Sequence, residues 1–446
     1  MTPAAQIDLT AHQTLLERLA EAREQTDSLF DVVRPDSLYE RPLPERHRII
    51  FYLGHLEAFD WNLLRERMLG LSSFNPELDR LFAFGIDPVD GGLPTDKAAD
   101  WPSIDRVRRY NQKIRDTLQR GLESFSASGR TAGNNEGDFS AVLNVAIEHR
   151  LMHAETLAYM LHQLPADRKI RKVQKLVEPA APVTDTMLEI PSGQVTLGLS
   201  RQAVAGFGWD NEYEEHCRAV PAFEISKHKI TNGEFLKFVN NGGYENQSLW
   251  TEEDWNWRTG NNILHPLFWK RRGGRWFWSA MFGEVPLPLD WPVYVSHAEA
   301  SAYARWIGQG LPTEAQWHRA AFGSLDAAEH AYPWGDEPPQ PERGNFDFAR
   351  WDPVPVTAFP KGQSLFGVAG MIGNGWEWTS TRFEPFPGFR PFAFYPGYSA
   401  NFFDGLHFVL KGGSSRTAAC MLRRSFRNWF QPHYPYIYAT FRCVSN

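Results

Sequence analysis

Cysteine is scarce in this chain, and its scarcity limits what the protein can be. Three cysteines in 446 residues, Cys217, Cys420 and Cys443, give no CxxC pair and too few bridges for a disulfide framework, so the thiols are expected to be reduced. No apolar run approaches the roughly 20 residues that cross a bilayer, which argues against a membrane partner. The amino-terminal stretch MTPAAQIDLTAHQ lacks the basic start and apolar core of an export signal, and a cytoplasmic location is the expectation. Basic residues form no block, and the formal net charge is −7, which argues against nucleic acid and for a small-molecule substrate. The sequence does not fix an oligomeric state. Internal repeats and low-complexity tracts are also missing, excluding solenoids and propellers.

Aromatic residues, by contrast, are abundant: 17 Trp, 31 Phe and 14 Tyr, concentrated after about residue 205 together with Gly and Pro. That shift divides the chain. Residues 1–165 show apolar positions at three- and four-residue spacing, which predicts four long helices over about 11–33, 44–69, 103–125 and 139–164, the second and third joined by a Gly/Pro/Asp-rich loop over 85–102. Such helices pack as an all-α four-helix bundle, a fold that builds metal sites from inward-facing side chains. Residues 166–184 have linker composition. Residues 185–446 alternate short β-type runs (MLEIPSGQVTLG, AFEISKHKIT, HFVLKGG, YATFRCV) with one clear helix over about 297–309, an α+β pattern.

In the fourth helix, His149 and His153 stand four residues apart, so both imidazoles leave one face. His55 lies midway along the second helix on its expected inner face. Three neutral imidazoles would leave two or three positions open on a six-coordinate ion, which suits a metal that binds co-substrates. An isolated HxxxH is more often a solvated pair, and imidazole serves Fe(II) and Zn(II) alike. Glu57 and Glu155 read as surface charges, and His162 and Gln163 as solvent-facing.

A His on the second helix with HxxxH on the fourth resembles the DinB four-helix-bundle family. The second half resembles the formylglycine-generating-enzyme/sulfatase-modifying-factor family, through MLEIPSG (187–193), GWDNE (208–212), PVYVSHAEA (292–300), LPTEAQW (311–317), YPWG (332–335), GNGWEW (373–378), GGS (412–414), RNW (427–429) and FR (441–442). This resemblance implies a multidomain chain, a DinB-like bundle followed by an α+β domain of C-type-lectin-like fold. The residues of LPTEAQW and GNGWEW themselves read as structural. The pairing is similar to the ergothioneine-type sulfoxide synthases and the selenoneine synthases. It implies Fe(II) held by His55, His149 and His153, O2 as co-substrate, and bond formation at C2 of hercynine, the trimethylated form of histidine. On the same resemblance, Trp376, Trp378, Ser415, Arg416, Arg427, Asn428, Trp429, Phe82 and Phe84 are candidate substrate contacts, and Tyr436 and Tyr438 candidate catalytic groups.

Three departures from the ergothioneine-forming pattern bear on the donor. The loop after the second helix has no arginine between Arg80 and Arg106 to hold a doubly acidic γ-glutamyl-cysteine, Ser415-Arg416 replaces the aromatic after Gly-Gly-Ser, and Trp376 occupies the position of a catalytic tyrosine. They favour a selenosugar donor, with γ-glutamyl-cysteine or cysteine as the alternative. A cysteine-dependent formylglycine-type protein oxidase would need two closely spaced cysteines, whereas Cys420 and Cys443 are far apart. A non-catalytic binding module would place the histidines apart or in solvent.

Overall fold

The computed structural model describes residues 3–83, 94–127, 139–172, 183–184, 186–202 and 206–445. The chain forms two compact units, one built on residues 1–173 and the other on residues 174–391 and 395–446. No helix among the described residues is long and apolar enough to cross a membrane.

The first unit contains α1 (Pro3–Phe30), α2 (Ile49–Leu64), the short α3 (Pro76–Leu81), α4 (Ile104–Ala127) and α5 (Phe139–His162). Helices α1 and α5 pack along each other, and α2 packs on both α4 and α5. The second helix is shorter than its pattern predicts. Arg48 is the extended N-cap, and the helix ends in a π-turn over Arg65–Leu69 that closes at Gly70 in the left-handed conformation. Helix α3 was not expected. Asn75 caps it by accepting from the Leu78 N–H, with Pro76 in the first helical position.

A buried polar knot ties the bundle together. Arg150 of α5 donates to Asp60 Oδ2 at 2.7 Å and to the Leu56 carbonyl at 2.9 Å on α2, and to Thr26 Oγ1 at 3.1 Å on α1. Glu57 Oε1 lies 3.1 Å from Arg150 and 2.6 Å from Arg115 of α4, which also grips Asp27 of α1 through two 2.7 Å bonds. Expected at the surface, Glu57 and Glu155 are instead 1% and 9% exposed, and His162 is buried too. For Glu57, burial raises the carboxyl pKa, but Arg150, Arg23 and Arg115 outweigh it and bring it down to about 2.

Among its described residues the second unit carries four α-helices rather than the single one expected: α6 (Asn232–Asn240), α7 (Glu252–Gly260), α8 (His297–Trp306) and α9 (Glu314–Phe322). Strands β1 (Met187–Ile190) and β4 (Phe223–Ser226) pair antiparallel and take β12 (Val444–Ser445) on the other side of β4; β2 (Gly193–Leu197) pairs with β3 (His216–Val220). A meander of β5 (Trp269–Arg272), β6 (Arg275–Ala280) and β7 (Gly283–Pro286) follows. The sheet β10-β9-β8-β11 comprises β8 (Trp376–Arg382), β9 (Phe408–Lys411), β10 (Asn428–Phe430) and β11 (Ala439–Thr440), with β11 parallel to β8. Glu377 of β8 is fully buried. It accepts from Arg442 at 2.6 and 3.0 Å, from Lys229 at 2.5 Å and from the Trp317 indole at 2.9 Å, so the Glu of GNGWEW is a structural hub. Burial pushes its pKa up, and the two cations more than reverse the shift.

Candidate metal centre

Helices α2 and α5 bring His55, His149 and His153 to one point inside the bundle. His153 Nε2 lies 3.3 Å from His55 Nε2 and 3.1 Å from His149 Nε2, and each residue offers a nitrogen within 4.8 Å of the others. Two nitrogens about 2.1 Å from a common ion and at right angles to each other stand about 3 Å apart, and the His153–His55 and His153–His149 spacings both match that geometry. All three side chains are 4–5% exposed. Burial is the main cause that lowers each pKa, to about 4 for His55 and well below the ordinary value for His149 and His153. The imidazoles are therefore neutral near pH 7, the form that ligates metal.

The rings are held from several sides. His55 Nδ1 is 2.7 Å from the Phe82 carbonyl; a carbonyl only accepts, so Nδ1 carries the proton and Nε2 presents its lone pair toward His153. Phe51 stacks on His55 at 4.8 Å, and Phe59 lies almost parallel to His149 at 3.4 Å between centroids. Phe51, His55 and Phe59 recur at i, i+4 and i+8, a spacing visible in the sequence that singles out this face of α2. Arg150, next to His149 in the chain, turns away into the polar knot and fixes α5 against α2.

Phe82 is fully buried and reaches the site through its carbonyl; Phe84 lies outside the described residues. In the second unit, Trp378 donates its indole N–H to the Val295 carbonyl at 2.9 Å, and Trp376 packs near Phe426, both in the core. Arg427 is bound to both carboxylate oxygens of Glu314 at 3.0 and 3.1 Å. Arg416 is buried, donates to the Phe348 carbonyl and places its guanidinium 4.0 Å from the Trp351 ring centre. Ser415 is buried beside it, and Tyr438 is enclosed between Tyr294 and Phe268. Asn428, Trp429 and Tyr436 are half-buried; Trp429 stacks on Phe383 at 4.2 Å.

A helical bundle with a buried tri-histidine cluster, followed in the chain by an α+β domain, defines a two-domain class of candidate metalloprotein. The DinB superfamily matches residues 18–157 and the sulfatase-modifying factor enzyme 1-like domain residues 173–446. The chain is 37% identical over 340 residues to the hercynine oxygenase of Mycobacterium tuberculosis, covering 76% of this chain and 77% of that one. It is 30% identical over 443 residues to the hercynine oxygenase of Mycolicibacterium smegmatis, covering 95% and 96%. Ergothioneine biosynthesis protein 1 of Neurospora crassa is 28% identical over 494 residues, covering 92% of this chain and 55% of that protein. The chain belongs to the hercynine oxygenase family.

Proposed function

We propose that the chain binds one Fe(II) through His55, His149 and His153 and, with O2 as oxidant, joins a selenium or sulfur donor to C2 of the hercynine imidazole. The observation that carries this reading is the convergence of three buried, neutral imidazoles within 4.8 Å in a member of the hercynine oxygenase family. When bound, Fe(II) supplies the redox chemistry that couples O2 reduction to loss of the C2 proton and formation of the carbon–chalcogen bond. The protein's own part is to keep the three nitrogens deprotonated, to hold their directions through ring packing and the Phe82 carbonyl, and to exclude bulk water from the ligand set. Hercynine's trimethylammonium suits the face of a half-buried aromatic, for which Trp429 is the candidate, at about 0.5–2 kcal/mol for such a contact. Of the two candidate tyrosines, Tyr436, which is half-buried rather than enclosed, would move the proton.

A selenosugar is the donor we favour. Arg41 and Arg48 both bind Asp96, and Arg115 and Arg150 are held by Glu57, Asp27 and Asp60, so these cations of the bundle are already matched by carboxylates. A donor without carboxylates needs no such clamp. The test is to supply the Fe(II)-loaded protein with hercynine, O2 and either a selenosugar, γ-glutamyl-cysteine or cysteine, and to follow products by mass spectrometry. A C2 selenium adduct is expected. Faster turnover with γ-glutamyl-cysteine would reassign the donor, and no product with any donor would refute the reaction.

A further inference from the structure

We propose that Gly54 and the short helix α3 form a positioning device for His55, in which the space left by a missing Cβ lets Phe82 bring its carbonyl onto the Nδ1–H and so fixes the tautomer that points Nε2 at the metal. The proposal rests on the reading of His55 as a ligand. Gly54 sits inside α2, where glycine costs about 1 kcal/mol relative to alanine and no left-handed backbone calls for it. Its reason is spatial. A Cβ built there would stand 2.4–2.6 Å from three atoms of the Phe82 ring, far inside van der Waals contact. The ring cannot readily yield, because it is fully buried and packs near Phe51, Trp101 and Tyr110 with centroids 6.1–6.5 Å away.

The carbonyl is held as firmly as the ring. Phe82 closes the C-terminal end of α3, with its N–H donating to the Leu78 carbonyl at 3.0 Å. Helix α3 is pinned through Asp79, whose carboxylate is 4% exposed and accepts from Tyr110 Oη at 2.6 Å, Ser73 Oγ at 2.5 Å and the Trp61 indole at 3.1 Å. Asn62 adds a bond to the Asp79 carbonyl at 3.3 Å. The carbonyl that meets His55 therefore belongs to the C-cap of a six-residue helix anchored to α2 and α4. A ligating imidazole gains orientation and basicity from such a partner, and losing it typically weakens metal binding by about 10- to 100-fold.

The experiment compares Gly54→Ala, Phe82→Val, the double variant and Tyr110→Phe in the full chain. The readouts are the His55 tautomer by nitrogen-15 NMR of the metal-free protein, and the affinity and visible spectrum with Co(II). In Gly54→Ala the added methyl should displace the carbonyl, mix the His55 tautomers and weaken Co(II) by about 10- to 100-fold. Phe82→Val keeps a carbonyl but removes the ring, so it should bind within a few-fold of wild type, and the double variant should match it. Tyr110→Phe, which loosens Asp79 without touching the site, should raise the Nε2–H tautomer and weaken Co(II) a few-fold. A Gly54→Ala protein with the wild-type tautomer and spectrum would overturn the proposal. Were Gly54→Ala not to fold, an unchanged Tyr110→Phe would overturn it equally. Wild type that binds no Co(II) would refute the metal reading, while the tautomers of the metal-free variants would still decide the role of Gly54.

Discussion

Replacing Arg150 by Met removes the cation at the centre of the bundle while keeping much of its volume. The side chain is 1% exposed and faces two carboxylates that are themselves 0–1% exposed, so Glu57 and Asp60 would be left short of countercharge in a low-dielectric interior. Breaking one side of a buried ion pair typically costs about 3–5 kcal/mol. The depression of the Glu57 pKa from 4.5 to about 2, against a burial that raises it, points the same way, with Arg23 and Arg115 contributing beside Arg150. A loss of about 3 kcal/mol at pH 7 is therefore expected, read by urea unfolding of the full chain through its helical circular dichroism. The wild-type contribution of Glu57 is complete above pH 4.5 and fades as pH falls toward 2. In the variant both carboxylates take up protons more readily, so its deficit should shrink on going from pH 7 to pH 4. Arg150→Met with Asp60→Asn should lie closer to wild type than Arg150→Met alone. A single variant within about 0.5 kcal/mol of wild type at pH 7 would refute the reasoning, since that is the range of an indifferent surface change.

Arg442→Met should destabilise the second unit by a similar ~3–5 kcal/mol, because Glu377 would keep only Lys229 as a cationic partner; an unchanged unfolding midpoint would contradict the hub assigned to it. Metal-free protein should lose stability as pH falls from about 6.5 to about 4, because burial holds the His55 pKa at about 4 while the unfolded chain takes up its proton near 6.5. A melting temperature of the His55→Ala variant with the same slope over that window would show that the histidine plays no part in it.

The bundle and its three histidines were legible because they rest on helical periodicity: an i, i+4 pair on α5 and a histidine on the inner stripe of α2 need no tertiary knowledge to be placed. The polar knot was not legible. Glu57, Asp60, Arg115 and Arg150 come from three helices, and a charged residue on a helix reads as solvent-facing until a partner is known to converge on it. Two of the three helices missed in the second unit did carry a signal, although they are short. Thr231 with Glu234 and Thr313 with Gln316 are capping boxes, like Ser296 with Glu299 at the head of the helix that was expected, and the Thr313 box explains why LPTEAQW is structural. Helix α3 likewise announced itself through Asn75-Pro76. The role of Gly54 was beyond the sequence, since it depends on a ring 28 positions away whose approach only the folded chain fixes.

The ligand set is tested most directly by stripping the protein with a chelator, reloading it anaerobically with Fe(II) and counting bound iron after desalting. About one iron per chain is expected for wild type and almost none for His153→Ala, because two imidazoles hold a labile ferrous ion poorly. Equal iron in the two proteins, with both folded, would contradict it.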